Sequence, residues 1–191
     1  MRLFVAVLPP DQVLRELARE VRPLRELPGS ERLRWTALDG WHLTLAFLGE
    51  VAEEQLPALR QGFARVAGEH RPLGLRLAEG GRFGDRTLWV GVQGDTRELR
   101  SLAEGVGVAA VEAGCAGSEF DYHPHLTLAR AGRHPQGSRG GLRAAAAALA
   151  QYRGSEWRVD GIRLMKSEFT GGPAHYTTLH QWALGTSAPG A

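Results

Sequence analysis

Hydrophobic positions along this chain follow two rhythms, one near two residues and one near 3.6, which trade places repeatedly. Leu3–Leu8 is apolar on both faces, the pattern of a buried strand. After Pro9 and Pro10, Asp11 offers an N-cap, and Leu14, Leu17, Val21 and Leu24 recur at helical spacing. Two strand patterns follow, Arg32–Thr36 and Trp41–Leu48, divided by the turn signal Asp39-Gly40. A second helical stripe carries Leu56, Leu59, Phe63 and Val66. Leu73, Leu75 and Leu77 then alternate as a half-buried strand.

That order, β-α-β-β-α-β, begins again at Thr87–Val92. A helical stripe of Leu99, Leu102, Val106 and Ala110 stops near Gly114, and Glu119–Tyr122 and His125–Ala129 read as short strands. Leu142–Ala150 is alanine-rich and helix-forming, Trp157–Leu164 is a strand, and His175–Leu184 adds one more. The small-residue tail 186–191 is expected to be disordered. Gly80-Gly81-Arg82-Phe83-Gly84 lacks the lysine and hydroxyl of a phosphate-cradling loop and reads as a hairpin turn. A constant offset of 83 positions separates His42 from His125 and Leu73 from Glu156. The pattern predicts an α+β fold made by duplication, with repeats 1–82 and 83–185 forming one domain, 1–185.

Composition narrows the field. At 191 residues, 43% hydrophobic and 23% charged, the chain is neither fibrous nor disordered. Cys115 is the sole cysteine, which excludes an intrachain disulfide and any multi-cysteine metal site; it reads as a buried small hydrophobe. The apolar opening is too short for a secretory signal, and no segment approaches the roughly 20 apolar residues that span a bilayer. A soluble, cytoplasmic monomer is expected, with no membrane partner. The net charge is only +2, yet Lys166 is the single lysine among many arginines. Arginine suits phosphate, but a GC-rich genome enriches it too, so arginine alone makes no nucleic-acid case.

The candidate chemistry lies in two copies of one tetrapeptide, His42-Leu43-Thr44-Leu45 and His125-Leu126-Thr127-Leu128. On a strand, residues two apart share a face, so each copy presents a histidine and a threonine on one side and two leucines to a core. A single His-x-Thr is commonplace. Two copies in one hydrophobic frame, at the same place in a repeated unit, are not. If a two-fold axis relates the repeats, two imidazoles can flank one phosphorus, one taking a proton from water and the other protonating the leaving oxygen. Threonine hydroxyls can donate to the non-bridging oxygens.

On these residues the chain resembles the two-histidine phosphoesterases, in particular the RNA 2′,3′-cyclic phosphodiesterases first described as 2′–5′ RNA ligases. The resemblance rests on Met1–Ala6, His42–Gly49, Phe83 with Leu88-Trp89, Pro124–Arg130 and Leu164–Ser167. It implies a bilobal fold with antiparallel sheets lining a central groove, and hydrolysis of RNA cyclic ends, or small cyclic nucleotides, to 2′-phosphomonoesters. It also implies His42 as proton donor, His125 as proton acceptor, Thr44 and Thr127 on the phosphate, Arg130 as a further phosphate contact, and no metal or cofactor. Strict alternation would place Arg130 on the face opposite His125, so its role requires the strand to end or twist there.

Alternatives stand beside this reading. The same site could run 2′–5′ RNA ligation, or the fold could be a non-catalytic RNA-binding module. His123 and His125 could be two metal ligands, although no further ligand has usable spacing. His70, His134, His175 and His180 lack repeated partners and default to surface or loop positions. Arg133 and Arg139, in the glycine-rich loop Arg130–Arg143, could guide an RNA backbone, with solvated flexibility the simpler account. Phe83 and Trp35 could stack a base, with core packing the better prior for each.

Overall fold

The computed structural model describes residues 1–115, 121–132, 137–169, 171 and 174–185. Nine strands and four α-helices alternate in the described chain: β1 (Arg2–Val7), α1 (Asp11–Leu24), β2 (Leu33–Trp35), β3 (Leu43–Glu50), α2 (Leu56–Glu69), β4 (Leu73–Phe83), β5 (Thr87–Gly94), α3 (Thr96–Glu112), β6 (His125–Ala131), α4 (Arg139–Ala148), β7 (Trp157–Val159), β8 (Gly161–Glu168) and β9 (His175–Ala183). The strands form one antiparallel sheet in the order β7-β4-β5-β6-β3-β1-β8-β9, with β2 also on β6. Two four-stranded blocks meet at its waist, where β3 and β6 share a single paired position, Leu43 with Leu126.

The expected α+β duplication is present, with its last strands exchanged between halves. β4, from the first repeat, pairs with β5 of the second, while β8, from the second, pairs with β1 of the first. The helices cover one face of the sheet. α2 packs on α3, α3 lies on β3 and β4, and α4 lies on β4 and β5. Leu3, Val5 and Val7 of β1 enter this main core beside Leu17, Leu43, Phe63 and Leu126. Phe4 and Ala6 point the other way and join Met165 in a small cluster with Tyr176. β1 is therefore apolar on both faces because both are covered, as its sequence indicated.

Four expectations need correction. Trp41 and His42 precede β3 rather than open it, because the turn Leu38–Gly40 reaches up to them. The glycine-rich segment after Ala78 is strand, and the turn falls at residues 84–86. Gly80 and Gly81 are there for space: a Cβ would overlap Leu149 at the first and the Trp89 ring at the second. Trp157–Leu164 is two strands, since β7 pairs with β4 and β8 with β1. The crossover at Asp160 is tied down by the Leu184 amide, which donates to the Asp160 carbonyl at 2.8 Å. Asp121 and Tyr122 are not in a strand; Glu119 and Phe120 lie outside the described residues, as do Arg133, His134 and the tail 186–191. Among the described residues no helix is long and apolar enough to cross a membrane.

Candidate active site

The waist pairing decides where the histidines go. Leu43, which follows His42, pairs with Leu126, which follows His125, so the two motifs meet at the waist. The charge of His125 reaches the His42 ring, so the two imidazoles lie near one another. Leu43, Leu45, Leu126 and Leu128 are buried in the core, while both histidines and both threonines are partly exposed on the opposite face.

The same irregularity follows each motif. Ala6 pairs with Thr44 and Val5 with Ala46, which leaves Leu45 over; Trp89 pairs with Thr127 and Leu88 with Ala129, which leaves Leu128 over. Each bulge sends two successive residues to the core, Leu45-Ala46 and Leu128-Ala129, and returns the next one to the groove face. Those next residues are Phe47, 63% exposed, and Arg130. Arg130 therefore shares the face of His125 and Thr127. Alternation fails because β6 carries one residue more than its partner strand there.

Backbone contacts orient both imidazoles. Nδ1 of His125 donates to the His123 carbonyl at 2.7 Å, and the His42 ring is hydrogen-bonded to the Gly40 backbone. In each case the partner is two residues upstream, so the repeat extends to the groups that hold the rings. For His125 this leaves Nε2 to face the groove. Phe4 lies 4.8 Å from the His42 ring and Tyr176 presents an edge at 5.2 Å. Phe83 is 4.8 Å from the His125 ring. Burial pushes the His42 pKa down to about 4, with the charges of His125 and Arg130 acting in the same direction and the Gly40 hydrogen bond opposing. His125 is lowered from the ordinary 6.5 by burial first, then by His123 and Arg130. Burial thus biases both rings toward the neutral form, and both feel Arg130.

Other candidates fall into place around this site. Phe83 is not core; it is 39% exposed and forms a cluster with Trp89 and His123 beside His125. Trp35 packs against the core, and its indole N–H donates to the Ser30 carbonyl at 3.1 Å. Among the described residues no three His, Cys, Asp or Glu side chains gather, so the pair His123 and His125 has no third protein ligand there. Arg139 is paired with Asp85 at 2.7 Å, which also holds Arg82 at 3.3 Å. His70 bonds the Val66 carbonyl, His180 packs on Trp182, and His175 is exposed. Phe4, Phe47 and Tyr176 escaped the sequence reading. The signal for Phe47 was its place in the repeat, where the second copy has Arg130.

Two histidine–threonine pairs, each at the start of one of two adjoining strands of a curled antiparallel sheet, define a phosphoesterase of the two-histidine class. The chain belongs to the 2′-5′ RNA ligase superfamily, whose family model matches residues 9–170. It is 35% identical over 188 residues to the RNA 2′,3′-cyclic phosphodiesterase of Escherichia coli strain K12, covering 96% of each chain. It is 31% identical to the RNA 2′,3′-cyclic phosphodiesterase of Thermus thermophilus, covering 96% of this chain and 90% of that one. The structure of E. coli LigT complexed with 3′-AMP superposes with a TM-score of 0.76 at 31% identity, covering 97% of this chain and 98% of that one.

Proposed function

We propose that this protein hydrolyses RNA 2′,3′-cyclic phosphate ends to 2′-phosphomonoesters by two-histidine acid–base catalysis. What supports the proposal is the single Leu43–Leu126 pair, which brings the two motifs side by side, together with the charge coupling of His42 to His125. The relatives' names agree with it. His125, held through Nδ1, takes a proton from water as the water oxygen bonds to phosphorus. The bond from phosphorus to the 3′-oxygen breaks on the opposite side, and His42 supplies the proton that this oxygen gains. Thr44 and Thr127 donate to the non-bridging oxygens, and Arg130 balances their charge. Each atom that moves has a donor or an acceptor in this scheme without a metal. Both histidines belong to one chain, so a monomer suffices.

The test is product analysis. Incubated in EDTA with a nucleoside 2′,3′-cyclic phosphate, the protein should release the 2′-phosphate alone. Loss of turnover in chelator, or release of the 3′-isomer, would overturn the scheme.

A further inference from the structure

One guanidinium in the groove has no part in that scheme. β2 lies beside β6, with Leu33 opposite Ala131, Arg34 opposite Arg130 and Trp35 opposite Ala129. Leu33 and Ala131 are buried in the core, as is Ala129, so Arg34 and Arg130 share the opposite face, the one that carries His125 and Thr127. Both arginines are exposed, and no carboxylate among the described residues engages either of them. Like charges directly opposite one another on neighbouring strands repel, and no carboxylate among the described residues relieves the pair. An anion would.

The pair is also one-sided. At the other end of the groove the position equivalent to Arg130 is Phe47, with Phe4 at 6.3 Å and Tyr176 beyond it. The groove therefore runs from an aromatic end near His42, through the imidazoles, to a dicationic end on β6 and β2. Arg130 is the guanidinium whose charge reaches both imidazoles. Arg34 sits one strand further out, at the neighbouring-strand spacing of about 4.8 Å.

We propose that Arg34 binds the second phosphate of the substrate, the one on the 5′ side of the terminal nucleotide, and so makes the site prefer RNA ends over mononucleosides. The proposal rests on the phosphodiesterase reading above: Arg130 serves the cyclic phosphate, and Arg34 takes the next negative charge along the strand. Arginine suits this role because its planar fork binds phosphate oxygens in pairs.

The experiment compares two small substrates: a nucleoside 2′,3′-cyclic phosphate with a 5′-hydroxyl, and the same compound with a 5′-phosphate. Wild-type protein should favour the 5′-phosphorylated compound in kcat/KM by roughly tenfold, the scale of one charge-assisted contact. Arg34→Gln should bring the ratio close to one, and Arg34→Lys should restore part of it. The wild-type preference should also weaken as salt rises, because the added contact is an exposed ion pair. A wild type that does not discriminate, or an Arg34→Gln variant that keeps the wild-type ratio, would overturn the proposal. If wild type hydrolyses neither compound, the phosphodiesterase reading fails instead. Calorimetric binding of the two compounds then tests Arg34 by the same ratio.

Discussion

His42 and His125 are alike in sequence and unequal in surroundings. His42 sits between Phe4 and Tyr176, whereas Phe83, beside His125, is 39% exposed. Burial of a neutral imidazole favours the uncharged ring, so the native protein binds fewer protons here than the unfolded chain between pH 6.5 and about 4. Stability should accordingly fall as pH drops through that window, and urea titrations between pH 7 and pH 4 will show it. His42→Phe should flatten this part of the profile. The depressed pKa also bears on catalysis, because a proton donor must carry its proton. The anionic substrate supplies the remedy, since a phosphoryl charge between the rings favours their protonated forms. His42→Ala and His125→Ala should each lower kcat by about 10²–10⁴-fold, the usual loss for a general acid or base, with KM changed far less. Steady-state kinetics on a nucleoside cyclic phosphate checks both.

At the scale of elements, the groove is made by bulges and glycines as much as by strands. The paired His-Leu-Thr-Leu copies were legible because the polar–apolar alternation of a strand shows directly in sequence. The bulges after Thr44 and Thr127 were not, because an extra residue exists only relative to the partner strand. Strict alternation therefore puts Arg130 on the wrong face and hides Phe47. The split between β7 and β8 did leave a trace. Trp157 and Val159 are buried at odd positions, Ile162 and Leu164 at even ones, and the phase slips at Asp160-Gly161. Gly81 shows the energetic side. A methyl there would overlap the Trp89 ring behind His123 and His125. Gly81→Ala should cost about 1–3 kcal/mol, as overpacking does, measured by urea unfolding. It should also impair turnover by displacing that ring.

The whole molecule is two repeats bound to each other by exchanged strands. β1 lies between β3 of its own repeat and β8 of the other, and β5 lies between β4 of the first repeat and β6 of its own. Neither 1–82 nor 83–191 carries all the neighbours of its own strands. Each fragment expressed alone should lack cooperative unfolding by circular dichroism, whereas the two mixed should recover it. This interlocking also fixes the distance between the two motifs, which sit where the blocks touch at Leu43 and Leu126.

That touching point can be probed by NMR of labelled histidines during titration with the 2′-nucleotide product. The account predicts that the rings of His42 and His125 both move to higher pKa along one binding curve, and that His42 rises further, as befits the proton donor. A product that shifts one ring and leaves the other unmoved would mean that the two imidazoles do not share a phosphoryl group.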